Sequence, residues 1–168
     1  MNSSSYIRSL SCACIITLLL TAICLPHYTT SRERAKIAAV KMNMYTIQLA
    51  AEDFSTMADG LYPGGIRTTI NDLWPSIPND RCISGGERPP FPDNALIYCI
   101  AFYNPFSYFF VAIRNGRIVK GVPGCVFYCA YDQNNAIVGE GEPAVHYEVR
   151  GIGRRVPLGL LLNNREQE

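Results

Sequence analysis

The sequence predicts an α+β fold: a long, kinked N-terminal α-helix packed on a C-terminal antiparallel β-sheet. Three observations carry this expectation. An uncharged apolar run lies close to the N-terminus, a segment free of Gly and Pro with helical apolar spacing follows it, and strand-like segments separated by turns fill the C-terminal half. The predicted organisation is an N-terminal stub (1–8), an apolar helical part (9–26), an amphipathic helical part (27–58) and a β-rich head (59–168).

The 168 residues suit one domain plus an appendage. Fifteen Lys+Arg against 14 Asp+Glu give a net charge of +1, which lacks the basic footprint of a nucleic-acid binder. With 17% charged and 48% hydrophobic residues, the chain does not have the composition of a disordered one.

No charge falls between Arg8 and Arg32. Residues 9–25, followed by Pro26, hold Ile15, Ile16, Leu18, Leu19, Leu20, Ile23 and Leu25. As a helix this run reaches about 25 Å, the short end of a membrane span. A cleaved signal peptide needs a small-x-small site, and residues 18–24 offer none that is clean. A lipoprotein needs a small residue before its cysteine, but Ile23 precedes Cys24. The remaining reading is an uncleaved membrane anchor. Arg32, Arg34, Lys36 and Lys41 outnumber Arg8, so a literal positive-inside count places the head in the cytoplasm. The cysteines of the head point instead to an oxidising compartment.

Residues 29–58 contain no Gly or Pro and are rich in helix formers. Ile37, Val40, Met44, Ile47, Ala51, Phe54 and Ala58 recur in steps of three and four, which makes one stripe for the sheet. A weaker stripe runs through Ala35, Ala39, Met42 and Leu49, available to the core or to a neighbouring subunit. Pro26 is the expected kink, and Gly60 the expected end.

From Ile66 to Asn94 the chain reads as loop, with one short helical turn within Thr69–Trp74. Strands are expected at Ala95–Tyr103, Tyr108–Ile113, Cys125–Tyr131, Ala144–Arg150 and Val156–Leu162. Asn115-Gly116 is a two-residue hairpin signal that pairs the second of these with Ile118-Val119.

Neither His27 nor His146 stands in a recognisable nucleophile–base–acid constellation, and no Gly-x-Ser-x-Gly elbow is present. The reading is therefore a non-enzyme with no cofactor, no metal and no small-molecule substrate. Cys82, Cys99, Cys125 and Cys129 make an even count in the head and predict two disulfides, with free thiols or a zinc site as alternatives. Cys125 and Cys129 are four apart on one strand face, about 13 Å, beyond disulfide reach. Each would need another partner, for which Cys99 and Cys82 are available. Cys12, Cys14 and Cys24 read as small apolar side chains of the anchor. Asp132, Asn134, Asn135, Glu140 and Glu142 form an oxygen-rich loop without the EF-hand ligand order, read as a solvated hairpin loop rather than a calcium site.

The apolar helix, the proline, the Arg/Ala/Lys run of residues 32–41 and the helix from Asn43 to Phe54 together resemble type IV pilins and the pseudopilins of type II secretion. Asp59-Gly-Leu-Tyr-Pro63 is similar to the family's Asn/Asp-Gly-x-Tyr-Pro turn. Asn104-Pro-Phe106 and Gly124–Tyr128 are similar to elements of the pseudopilin head. The resemblance is good over 18–63 and loose over 95–162. Ser4 and Ser9 occupy the positions that the family's spacing gives to the processing glycine and the following glutamate, so the usual prepilin peptidase motif is missing. The resemblance implies a structural subunit in the bacterial inner membrane, single-pass, with its head on the periplasmic or extracellular side. Its partners would be other pilin-like subunits in a homo- or hetero-filament. The alternative is a membrane-tethered periplasmic binding domain that does not polymerise, with the aromatic run from Phe102 to Phe110 as its ligand surface.

Overall fold

The computed structural model describes residues 3–73, 102–107, 111–119 and 122–164, with side chains from residue 10 onward. The expected strand at Ala95–Tyr103 lies almost wholly outside the described residues, as do Tyr108–Phe110, Cys82 and Cys99. Helix α1 covers Ser3–Met57, 55 residues, with Pro26 inside it. Residues 1–36 and 37–168 form two compact units.

In the first unit the helix is unbroken at Pro26, whose ring nitrogen has no hydrogen to give the carbonyl one turn earlier. Thr29 and Thr30 place their hydroxyl protons on the Pro26 carbonyl at 3.0 and 2.9 Å.

In the second unit the predicted stripe is the core of the head. Val40, Met44, Ile47, Ala51 and Ala58 are fully buried and Phe54 nearly so, while Ile37 is half-buried. They pack with Val126, Tyr128, Ala130, Tyr147, Val149 and Leu162 of the sheet. The helix ends where expected. Asp59 and Gly60 take positive φ of 55° and 86°, and the Gly60 N–H closes on the Ser55 carbonyl at 2.9 Å. Glycine carries that conformation without a Cβ penalty.

The turn then enters β1 (Tyr62–Pro63), and Ile70–Leu73 forms the one-turn helix α2. Thr69 and Asp72 cap it reciprocally, at 2.8 Å from the Thr69 N–H to the Asp72 carboxylate and 3.2 Å from the Asp72 N–H to the Thr69 hydroxyl. The Thr69 N–H and then the Thr69 hydroxyl, both donating to the Asp72 carboxylate, hold that carboxyl below its ordinary value.

Strands β2 (Ile113–Asn115), β3 (Val126–Tyr131), β4 (Pro143–Ala144), β5 (His146–Ile152) and β6 (Pro157–Asn163) follow. β1 pairs with β4, antiparallel, in a two-stranded sheet. The main sheet has the order β2-β3-β5-β6. β3, β5 and β6 are antiparallel neighbours as expected, but β2 runs parallel to β3. The sheet is therefore mixed, and the expected hairpin at Asn115-Gly116 is not formed.

The reason lies in the Asn115 side chain. Its Oδ1 accepts from the Ile66 N–H at 2.9 Å and its Nδ2 donates to Glu140 at 2.7 Å, so it joins two distant loops rather than closing a turn. The Gly116 N–H donates to the Tyr128 carbonyl at 2.8 Å, carrying the chain past β3 in the parallel sense. Ile118 then packs with Val122, Cys125, Phe127 and Ile152 in a second small cluster instead of pairing with β2.

Helix and sheet approach closely at Gly151. A Cβ there would stand 2.7 Å from Met44 Sδ and 2.9 Å from Val40 Cγ1. The absence of a side chain in β5 is what lets the stripe settle onto the sheet.

Candidate functional site: the apolar helix and the outer face of the sheet

The first candidate is the apolar part of α1. Ile15, Ile16, Leu18, Leu19, Leu20, Ile23 and Leu25 are each 53–68% exposed. Among the described residues this is the one helix long and apolar enough to cross a membrane. Two of its threonine hydroxyls are bonded within the helix itself. The Thr17 hydroxyl is bonded to the Ala13 and Cys14 carbonyls at 3.0 and 2.9 Å, and Thr21 to those of Thr17 and Leu18 at 2.8 and 3.0 Å. A hydroxyl satisfied inside its own helix sheds most of the cost of leaving water. Cys12, Cys14 and Cys24 are exposed free thiols on the same helix.

The second candidate is the sheet face turned away from α1. The β3–β5 register places Phe127 beside Arg150, Cys129 beside Glu148 and Tyr131 beside His146 on this face. Phe127, Cys129, Tyr131, Glu148 and Arg150, with Gly116, Arg117 and Ile118, line a concavity of about 370 Å³. Arg150 and Glu148 form an ion pair at 3.1 Å, the Tyr131 hydroxyl donates to Glu148 at 3.3 Å, and the Tyr131 and His146 rings stack at 5.1 Å. Burial, then the neighbouring Cys129 and Glu148, pushes the Tyr131 phenol up to about 12. The sequence reading gave the strand Ala144–Arg150 that carries His146, Glu148 and Arg150, without singling out the last two. It held no signal for which face of β3 they would meet, or for Arg117 joining them.

The expected disulfides are corrected in part. Cys125 and Cys129 are buried free thiols. They do share a strand face, and the spacing that bars them from each other stands. Cys125 lies in the small cluster with Val122, Phe127 and Ile152, where burial pushes its thiol up to about 11 against the opposing pull of Arg114. An apolar pocket that accommodates a neutral S–H explains an unpaired cysteine here.

In the oxygen-rich loop Asp132 and Glu142 are spent on the loop's own turns, while Glu140 accepts from Asn115. Asp132 accepts from the Asn134 and Ala136 N–H groups at 2.8 and 2.7 Å, and Glu142 from that of Gly139 at 3.1 Å. Among the described residues no group of three or more His, Cys, Asp or Glu is gathered to hold a metal ion. Of the aromatic run, Phe102 and Phe106 pack on the core and Tyr103 is half exposed. Asn104 is buried, donating to the Pro123 carbonyl at 2.9 Å, which joins the two segments singled out as Asn104-Pro-Phe106 and Gly124–Tyr128.

A feature outside the sequence reading anchors the Asp59–Pro63 turn. Glu52 on α1 accepts from the Tyr147 hydroxyl at 2.6 Å and from Tyr62 at 3.0 Å, and the Tyr128 hydroxyl donates to the Pro63 carbonyl at 2.8 Å. Tyr62 and Tyr128 flank Tyr147 with ring centroids 5.0 and 5.7 Å away. Only the i to i+10 spacing of Glu52 and Tyr62 across the turn hinted at this network.

Comparison with protein-family models, with curated proteins and with solved structures finds no match.

Proposed function

We propose that this chain is a non-enzymatic, membrane-anchored structural subunit of the pilin-like kind, with its head outside the bacterial inner membrane. The apolar helix would sit in lipid before assembly and among the helices of neighbouring subunits in a pilus or pseudopilus afterwards. Both surroundings are apolar, so the transfer need not expose the segment to water. The observation that carries the reading is the double character of α1: apolar and exposed over 15–25, with a buried stripe from Val40 to Phe54. The resemblance of residues 18–63 to pilins and pseudopilins supports it.

The native cysteines supply the test. Cys12, Cys14 and Cys24 are exposed on the apolar helix. Oxidative crosslinking in membranes should give a ladder of multimers, lost when all three are replaced by Ser. Monomers alone would overturn the filament reading. They would favour the tethered binding domain, for which the concavity at Arg117, Tyr131, Glu148 and Arg150 is the specific feature.

A further inference from the structure

Just past Pro26, His27, Ser31 and Arg34 follow one another at i, i+4 and i+7, and so share one face of the helix. With Pro26 and Thr30 they line a concavity of about 410 Å³. Arg32 and Arg34 are exposed. Neither they, nor His27, nor the Ser31 hydroxyl is engaged by another side chain or backbone group of the described residues. Residues 27–36 carry three cations, Arg32, Arg34 and Lys36, against one acid, Glu33. Glu33 and Lys36 each have a partner already.

We propose that His27, Ser31 and Arg34 dock the phosphate of an anionic phospholipid headgroup at the membrane surface, with Arg32, on another face of the same turn, adding positive charge nearby. The inference rests on the reading of residues 9–26 as a membrane span. Given that span, the geometry is favourable. Arg34 lies eight residues beyond Pro26, about 12 Å along the axis, and the headgroup zone is roughly 5–8 Å deep. Helix side chains lean toward the N-terminus, which here is toward the membrane, and arginine is long enough to cover the difference. Tyr28, 65% exposed, stands where interfacial aromatic residues collect. A guanidinium fork and a free hydroxyl on one face suit a phosphate better than a diffuse charge would. The cations past the span thus have a role at the surface, separate from setting orientation.

The test uses the full chain reconstituted in phosphatidylcholine bilayers with trace spin-labelled phosphatidylglycerol or phosphatidylcholine. Electron spin resonance then gives the relative association of the two lipids with the protein. Phosphatidylglycerol should be preferred several-fold, within the limit of about five-fold per cation expected near a charged surface. Arg34→Gln should bring the ratio close to one, Arg34→Lys should retain part of it, and Ser31→Ala should lower it less than Arg34→Gln. Wild-type protein that inserts but shows no preference would overturn the inference, as would an unchanged ratio in the combined Arg32→Gln, Arg34→Gln variant. Inorganic phosphate that abolishes the preference, where chloride of equal ionic strength does not, would show a free-anion site and also overturn it. Failure to resist carbonate extraction would defeat the span reading and this inference together, whereas insertion without preference defeats this inference alone.

Discussion

Along α1, the large apolar side chains between Ile15 and Leu25 are all more than half exposed, whereas Val40, Met44, Ile47 and Ala51 have no exposed surface. Both stretches are helical and both are rich in apolar residues. They differ in where the polar residues stand. Between Ile15 and Leu25 no charge interrupts any face, while between Ile37 and Phe54 Lys41, Glu52 and Asp53 leave the stripe clean and occupy other faces. A striped helix satisfies itself against a sheet, but a helix apolar all round needs an apolar medium. Seven large apolar side chains left in water forgo on the order of 10 kcal/mol, as much as the whole stability of a typical domain. That difference is the strongest physical argument for a membrane or a subunit interface around residues 10–25.

The sharpest way to break the comparison is to place a charge in each stretch. Ile47→Asp buries an unpaired carboxylate at a fully covered site, and should destabilise the head by about 4 kcal/mol or more. Circular dichroism should show no cooperative melting, or a much lower midpoint. A wild-type profile would remove the stripe from the core. Leu19→Asp should leave the melting of the head within about 0.5 kcal/mol of wild type, since Leu19 is 60% exposed. It should weaken insertion into a bilayer by about 3 kcal/mol, read as increased carbonate extraction.

The parts of this fold that the sequence disclosed are those with a local cause. The stripe, the helix end at Gly60 and the short helical turn after Thr69 follow from spacing and backbone preference, so they can be read from a few neighbouring residues. The strands β3, β5 and β6 were readable for the same reason. What was not readable depends on partners far along the chain. Asn115-Gly116 has the composition of a hairpin, and nothing nearby tells that Asn115 will bond to Ile66 and Glu140 instead. The free state of Cys125 and Cys129 likewise depends on what each meets in the folded head, not on their number. Of the candidate site, the apolar segment was legible as a long apolar helix, because that signal is composition alone. The concavity on the outer sheet face was not legible, beyond the existence of the strands that carry Phe127 to Tyr131 and Glu148 to Arg150. Their meeting comes from strand pairing.

Raising the pH should separate the two regions by a smaller margin. Among the described residues every resolved shift of a thiol or phenol in the head is upward. Cys125 moves from 9.0 to about 11, Tyr131 from 10.0 to about 12, and Tyr62, Tyr128 and Tyr147 also rise, all chiefly through burial. For Tyr147 and Tyr62 the Glu52 carboxylate adds to the effect, because a phenolate beside it is repelled. Groups whose folded value lies above the unfolded one release protons first from the unfolded chain. Their contribution is intact below pH 9 and declines as the pH rises through 9 toward 11. The buried Cys125 thiol alone is worth on the order of 2 kcal/mol across that window. Denaturant midpoints of the head should therefore fall between pH 9 and 11. Cys125→Ala should lessen the decline, since the thiol is then gone from both states, although the small cavity lowers the starting stability. A flat profile would show that the thiol and phenols are hydrated in the folded head.

The smallest effect is expected at Met42 and Leu49, on the weaker stripe of the same helix and 68% and 64% exposed. Each lies within one turn of a fully buried stripe residue, Val40 or Met44 for the first and Ile47 or Ala51 for the second, so the comparison narrows here to two faces of one helical segment. Alanine at either position removes little buried surface, and alanine is the better helix former, so stability should change by less than about 0.5 kcal/mol. The same substitution at Met44 should cost about 2–5 kcal/mol. If the second stripe serves a neighbouring subunit, the paired Met42→Ala, Leu49→Ala variant should keep its melting midpoint and yet shorten the ladders formed through Cys12, Cys14 and Cys24. Unchanged ladders would confine the subunit contact to the apolar segment. A stability loss near that of Met44→Ala would mean instead that the head itself covers this face, and the contrast between a covered and an uncovered side of α1 would no longer hold.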